Sequence, residues 1–367
     1  MKNTIGSHVT LTIFGESHGP SIGVVLDGLC PGLPIETERI EHLLSLRRPS
    51  GKLSTARREP DPVQIQSGVF NAHTTGTPLC LLIPNEDTHS ADYAKLKDKP
   101  RPGHADYTAR AKYHGFSDYR GGGHFSGRLT APLVAAGAIA MTALSRKGIT
   151  LGTHVLKCAG IADRPFHDYA EDIQSLDQKS FAVLDEDAAA QMRSAISSAA
   201  EAGDSVGGVL QTAVIGLPAG LGEPWFDSLE SLLSHAMFSI PAVKGIEFGD
   251  GFALAECKGS QSNDAFRFEQ GRVVTATNHN GGVNGGISNG MPLVFQTAIK
   301  PTPSIYLPQD TVDFSTGENT VLEIGGRHDP AIVHRAAVVQ TALTAFVLMD
   351  AVAGRWGTDV FLQEGPL

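Results

Sequence analysis

Two stretches placed 214 positions apart constrain this chain more than any other feature: GVFNAHTTGTPL from Gly68 and GVNGGISNGMPL from Gly282 share Gly, Val, Gly, Pro and Leu in register. GLCPGL at Gly28 is answered by GLPAGL at Gly216, each after an apolar run and before an amphipathic one. Two helices that are apolar on every face complete the pattern. One runs from about Thr130 to Lys147 with Gly148 as its stop, and the other from Ala331 to Val352. A helix without a polar face has to be covered all round, so the pair is expected side by side in the middle of the molecule with sheets outside. The expected fold is therefore α+β: one domain over 1–367, built as a duplicated β-α unit (about 1–150 and 205–355) with central apolar helices sandwiched between mainly antiparallel sheets. No linker rich in Pro, Ser or charge divides it. The longest apolar stretch, Ala131 to Leu144, is interrupted by Pro132 and reads as too short to cross a bilayer.

Local patterns place the candidate residues. HVTLTIF and SIGVVLDGL are β-branched and alternating, and GESHGP between them is turn chemistry, which predicts a hairpin with His18 at a strand end. Ile40, Leu43 and Leu44 predict a helix that carries Arg47 and Arg48 near its C-terminal end. A second pair of short strands is expected within DPVQIQSGVFNAHTTGTPLCLLIPNED. Asn85 to Gly123, charged and aromatic without a hydrophobic period, reads as a long ordered loop or lid.

A net charge of −10 argues against nucleic acid as a partner, yet the cations are concentrated in two islands. Arg39, Arg47, Arg48, Lys52, Arg57 and Arg58 form one; Lys95, Lys97, Lys99, Arg101, Arg110, Lys112, Arg120 and Arg128 form the other. Basic islands in an acidic protein suit a small polyanion, the plainer alternative being two solvated patches. Cys30, Cys80, Cys158 and Cys257 stand apart, without a CxxC pair or a nearby histidine cluster, so neither a metal site nor a disulfide framework is expected. A reducing cytoplasm suits such thiols, and MKNTIGSHVTLTIFG lacks the core of a signal peptide.

Four places can carry chemistry. A lone histidine among 14 is more often structural, but His18 in GESHG and His104 in RPGHADYT each sit in a turn with small neighbours, and His104 lies close to Arg101. Such a residue can pass a proton to a phosphate leaving group at neutral pH. YRGGGHFSGR offers backbone amides to an anion at a helix start; it nearly satisfies GxGxxG, but no strand precedes it and no acidic residue follows at the dinucleotide spacing. GGRHDP puts Arg327 and Asp329 ahead of an apolar helix, where Asp329 suits an N-cap, a role compatible with catalysis. GDSVGG is set aside as a protease nucleophile because Val206 breaks the required spacing, and KPTPSI offers Lys300, Thr302 and Ser304 to phosphate.

Taken in order, TIFGESHG, RRP, RREPD, TTGTP, RPGHADYT, YRGGG, GDSVGG, AVKGIEFGDGF, NGGVNGGISNG, KPTPS and GRHDP resemble the chorismate synthase family over nearly the whole chain. The resemblance implies a carbon-oxygen lyase that converts 5-enolpyruvylshikimate 3-phosphate to chorismate and phosphate, with reduced FMN and no net redox change. It implies His18 as acid toward the departing phosphate, His104 as the residue that protonates the reduced flavin, and Asp329 as a partner in proton abstraction. Arg47, Arg48, Lys52, Arg101 and Arg128 would surround the anionic groups, Lys52 standing where many members have Arg. Flavin contacts map onto His124, Phe125, Ser126, Pro241, Ala242, Gly285, Lys300, Pro301, Thr302, Pro303, Ser304 and Arg327. A homotetramer is implied, with flavin reduced by an external reductase or with NADPH as indirect reductant. The chain departs from the family text after the three glycines, where HFSGRLT replaces the commoner Arg-Ser-Ser-Ala-Arg-Glu-Thr, and at Ala331 and His334, where Cys and Pro are frequent. The alternatives are a paralogue acting on another small polyanion, a flavin or anion carrier, and a hydrolase.

Overall fold

The computed structural model describes residues 2–49, 60–86, 97–325 and 328–367. From the N-terminus, β1 (Thr4–Ile5), β2 (Thr10–Gly15) and β3 (Ser21–Asp27) lead into α1 (Thr37–Arg47). Then come β4 (Gln64–Ser67), the hairpin of β5 (Val69–Phe70) and β6 (His73–Thr74), β7 (Leu79–Pro84), α2 (Asp106–Lys112) and α3 (Thr130–Ser145). The later part runs through β8 (Thr150–Cys158), β9 (Ile161–Ala162), α4 (Tyr169–Leu176), α5 (Glu186–Glu201), β10 (Gly208–Ile215), α6 (Leu229–Met237) and β11 (Val243–Phe248). It continues with α7 (Gly259–Ser262), the hairpin of β12 (Phe266–Glu269) and β13 (Arg272–Thr275), and that of β14 (Val283–Asn284) and β15 (Ile287–Ser288). It closes with β16 (Leu293–Ile299), the hairpin of β17 (Gln309–Asp313) and β18 (Glu318–Leu322), and α8 (Val333–Trp356).

Two five-stranded sheets, in the orders β1-β2-β3-β7-β4 and β11-β16-β10-β8-β9, are antiparallel throughout. Without the outer strands β1 and β9, the order β2-β3-β7-β4 is repeated by β8-β10-β16-β11. The two small hairpins match bond for bond. Thr74 Oγ1 donates to Cys30 O at 2.6 Å and accepts from Leu33 N at 2.9 Å, while Ser288 Oγ donates to Pro218 O at 2.6 Å and accepts from Leu221 N at 2.9 Å. The same hydroxyl thus pins each GLxxGL turn to the hairpin 214 positions from its counterpart.

The first sheet covers α3, the second covers α8, and the helices pack on each other between them. Burial on every side is what their all-apolar sequences require. Gly137 lets the backbones meet, since a methyl there would overlap Ala342 of α8. Pro132 falls in the first turn of α3, where its missing N–H is not needed. Gly148, at φ 72°, closes the helix, with its N–H on Ser145 O at 2.9 Å and that of Ile149 on Leu144 O at 3.1 Å.

Three expectations change. The segments Gly127–Ser145 and Val333–Trp356 are both long and apolar enough to cross a membrane by length and composition, but 89% of each window is buried inside the protein. Their length serves the span of the sandwich. Of the expected long loop, residues 87–96 lie outside the described residues, and the described part contains α2, whose seven residues make too few turns for a hydrophobic period to be read. Finally, α8 starts at Val333 with Ile332 as its N-cap, so Asp329 does not cap it.

Candidate active site

The turn between β2 and β3 carries Ser17, fully buried, and His18, 9% exposed. Gly19 N–H donates to Glu16 O at 3.0 Å, and Asn85 Nδ2 spans the turn by donating to Glu16 O at 3.0 Å and Gly19 O at 2.9 Å. The backbone of Glu16 therefore fixes the turn while its side chain faces solvent. Ser17 Oγ lies 3.1 Å from His18 Nδ1 and 3.2 Å from both Arg120 O and Gly121 O, and Ser17 N–H donates to Gly123 O at 3.2 Å. These bonds tie the turn to the glycine run.

Gly121, Gly122 and Gly123 have φ of 59°, 87° and 54°, values in the left-handed region that other residues adopt at a cost. A side chain at Gly121 would overlap the His18 ring, and one at Gly122 would meet His104 Cε1 at 3.4 Å and Nε2 at 3.5 Å. Two imidazoles 86 positions apart in the chain thus lie against adjacent residues of one strip of bare backbone.

Around His104, Asp106 accepts from Arg101 Nε and Nη2, each at 2.8 Å, and its Oδ1 is 2.6 Å from His104 Nδ1. Burial pushes the Asp106 carboxyl up, but the hydrogen bonds and charges of Arg101 and His104 more than offset that and hold it well below the usual carboxylate range. Arg101 Nη1 donates to Ser304 Oγ at 3.3 Å, and Lys300 Nζ donates to Gly103 O at 2.5 Å, so KPTPS packs on RPGHAD. Burial, then the charge of Lys244, lowers the Lys300 ammonium from its ordinary value. Lys300 N–H donates to Ala242 O at 3.0 Å, which brings Pro241 and Ala242 to the same place, and Ser205 Oγ of GDSVGG braces Thr302 O at 2.7 Å. The hydroxyl of Thr302 is buried and finds no hydrogen-bond partner among the described residues.

The other cations gather on Asp61, whose side chain is 1% exposed. Arg128 bonds it directly through Nη1, and Asp61 Oδ2 lies 3.6 Å from Arg47 Nη1 and 3.9 Å from Arg48 Nε. Arg128 Nε donates to Asn85 Oδ1 at 3.0 Å, which joins this cluster to the His18 turn. Arg335 bridges to the late aspartate: its Nε donates to Arg47 O at 2.8 Å and its Nη1 to Asp329 Oδ2 at 2.6 Å. Beside Asp329, burial lowers the His328 imidazole from its ordinary value, the Gly325 carbonyl opposes this, and the charge of Arg101 lowers it further. The contacts trace an open ring, from Asp329 through Arg335, Arg47, Asp61, Arg128 and Asn85 to the turn of His18, then past Gly121 and Gly122 to His104 and Arg101.

Not every predicted residue joins this ring. Gly285 lies at the tip of the β14–β15 hairpin, whose base at Gly282 meets Leu293 at the N-terminal end of β16, whereas Lys300 follows the C-terminal end of that strand. His124 uses Nδ1 on Gly15 O at 2.8 Å and Nε2 on Asn3 Oδ1 at 3.3 Å. Phe125 is edge-on to Tyr113, and Ser126 Oγ accepts from Arg128 N–H at 3.3 Å. Lys52 and Arg327 lie outside the described residues. Sequence reasoning gave no role to Ser17, Asp61, Asn85, Asp106 or Arg335. The one available signal was proximity, since Asp106 follows His104 by two residues and Asp61 sits between two prolines. A cavity of about 610 Å³ elsewhere is lined by Arg164, Phe166, His167 and Lys179 on and around α4, and none of the ring residues borders it.

A family model described as chorismate synthase matches residues 9–353. Among curated proteins, the chorismate synthase of Dehalococcoides mccartyi is 48% identical over 353 residues, covering 95% of this chain and 96% of the relative. Those of Thermococcus gammatolerans (46% over 345 residues, 94% and 96% covered) and Methanosarcina acetivorans (45% over 349 residues, 95% of each) are similar as well. A crystal structure of chorismate synthase superposes with a TM-score of 0.75 at 28% identity, covering 96% of this chain and 94% of that one.

Proposed function

The chain belongs to the chorismate synthase family, lyases of aromatic biosynthesis, and on that premise we propose that it converts 5-enolpyruvylshikimate 3-phosphate to chorismate and phosphate by anti-1,4-elimination in the shikimate pathway. The observation that carries this reading is the approach of His18 and His104 to adjacent residues of the glycine run, each with cations close by. A substrate with a phosphate and two carboxylates calls for several cations at once, and Arg47, Arg48, Arg128 and Arg101, with Lys52, supply them. Arg48 Nε is a buried donor without a hydrogen bond among the described residues, which supports an anionic ligand as its acceptor. His18 gives a proton to the departing phosphate, Ser17 holding its ring through Nδ1. Asp329, held by Arg335, takes part in removal of the ring proton.

Reduced FMN fits the residues present on two observations: the buried, unpartnered hydroxyl of Thr302 and the bare backbone at Gly121 and Gly122 beside the imidazoles. Ser126, Pro241, Ala242 and Lys300 to Ser304 would hold it, with His124, Phe125, Gly285 and Arg327 as further contacts, and His104 holds a proton toward it. Its chemistry, when bound, would be to supply electron density for cleavage of the bond to phosphate with no net redox change. The flavin is reduced by a separate reductase or with NADPH as indirect reductant. One domain of two repeated halves is the organisation that the matched sheets support. A homotetramer is the proposed assembly, and the exposed Phe266, Phe268 and Val273 on the β12–β13 hairpin support an interface between copies there. The net charge of −10 favours a small anion in a cationic pocket over nucleic acid, and the cytoplasm is the proposed compartment.

An anaerobic assay with reduced FMN and the enolpyruvyl substrate tests the reading. Phosphate and chorismate should appear together, and only with flavin. Phosphate without flavin would indicate a hydrolase, and flavin binding without product a carrier or a paralogue. In the same assay, His18→Ala should lower turnover by about 10²-fold or more.

A further inference from the structure

We propose that Asp106 is a positioning residue that fixes the proton of the neutral His104 ring on Nδ1 and so presents Nε2 to the glycine run. The inference rests on the function proposed above for the role of His104, but its geometry stands apart from it. Nδ1 has two polar neighbours: Asp106 Oδ1 at 2.6 Å and Arg101 Nη2 at 3.1 Å. An ionised carboxylate only accepts and a guanidinium only donates, so the two make opposite demands on that nitrogen. The shorter contact decides between them, because Arg101 Nη2 already has an acceptor in Asp106 Oδ1 at 2.8 Å, whereas a lone pair on Nδ1 would point at a carboxylate oxygen.

Asp106 is itself immobilised. Its Oδ2 also accepts the Arg101 backbone N–H at 3.0 Å, its side chain is only 18% exposed, and it is the first residue of α2. Lys300, bonded to Gly103 O, holds the same loop from the opposite segment. With Nδ1 committed, Nε2 is the nitrogen beside Gly122, an acceptor when the ring is neutral and a donor when it is protonated, always at the same place. In Asp106→Ala the guanidinium becomes the remaining neighbour of Nδ1, so the neutral ring should move its proton to Nε2 and face the site with the wrong group.

The test is long-range ¹H–¹⁵N correlation on the full chain labelled in histidine, at a pH where the ring is neutral, with the His104 signals assigned by their loss in His104→Gln. The wild type should carry its proton on Nδ1 and Asp106→Ala on Nε2. Turnover of Asp106→Ala should fall by about 10²-fold with KM little changed, and Asp106→Glu should recover the Nδ1 form and part of the rate. A wild-type ring protonated on Nε2, or a ring that keeps its Nδ1 proton in Asp106→Ala, overturns the proposal. If Asp106→Ala does not fold, the wild type and Asp106→Glu still decide it. A wild type that makes no chorismate refutes the proposed function and leaves the tautomer result to judge Asp106.

Discussion

At Gly121 the His18 ring stands where a side chain would begin, and the backbone holds φ at 59°. Gly121→Ala therefore combines left-handed strain of about 1–2 kcal/mol with displacement of an imidazole. A shift on the order of 1 Å in a catalytic group can cost about 10²-fold in rate, so turnover should fall nearly as far as in His18→Ala. Gly122→Ala is the comparison: its methyl meets His104 at 3.4 Å, an ordinary contact, so the backbone strain should dominate. Parallel measurement of turnover and melting temperature separates the two, and equal activity in both variants would contradict the steric account. The need for glycine was legible in the sequence as a run of three, but its reason was not. The run reads as an anion cradle, and the structure adds a second reason at one member, Gly121, which leaves room for an imidazole contributed by a distant segment.

Among the elements, the contact of α3 with α8 has the least room for change. Gly137→Ala would drive a methyl into Ala342, and overpacking of this kind costs about 1–3 kcal/mol. Denaturant unfolding should show a lower midpoint with an unchanged slope, and an unaltered midpoint would mean that the helices separate freely. Both helices were legible because a run without a polar face has one solution, burial on every side. Less legible was the polar layer under α8, where Gln340 Nε2 donates to Thr212 Oγ1 at 2.8 Å and Gln340 Oε1 accepts from Thr297 Oγ1 at 2.5 Å. A buried glutamine has no periodic signature; its partners come from strands remote in sequence. The same holds for α2, too short for a period, and for Asp329, which the sequence placed as a cap and the structure gives to Arg335.

On the scale of the whole molecule, acid stability depends on a pair remote from the site. His154 Nδ1 and Asp163 Oδ2 lie 2.7 Å apart with neither side chain exposed. Burial pushes the Asp163 carboxyl up, but His154 and the backbone N–H groups of Leu184 and Asp185 more than offset this and leave it below its ordinary value. A carboxyl depressed in the folded state adds stability that is full above its unfolded value, about 4, and is lost as pH falls through the folded one. Asp264, drawn to about 2 by Thr277, Asn280 and His279 against the effect of burial, acts in the same sense. Melting temperature should fall on acidification below about pH 4, less steeply in Asp163→Asn; equal slopes would remove Asp163 from the account.

The sequence by itself determined the two matched halves, the apolar helices between them, the hairpin that carries His18 and the family to which the ordered motifs belong. All of these follow from periodicity, turn chemistry or local order along the chain. Only the tertiary structure decided which of 14 histidines meet, that Asp61 gathers the arginines, that Asp106 faces His104 Nδ1, and that the hairpin carrying Gly285 meets the opposite end of β16 from Lys300. Those relations depend on packing between segments far apart in the chain, where a change of a few ångströms separates a hydrogen bond from no contact and leaves no trace in residue spacing.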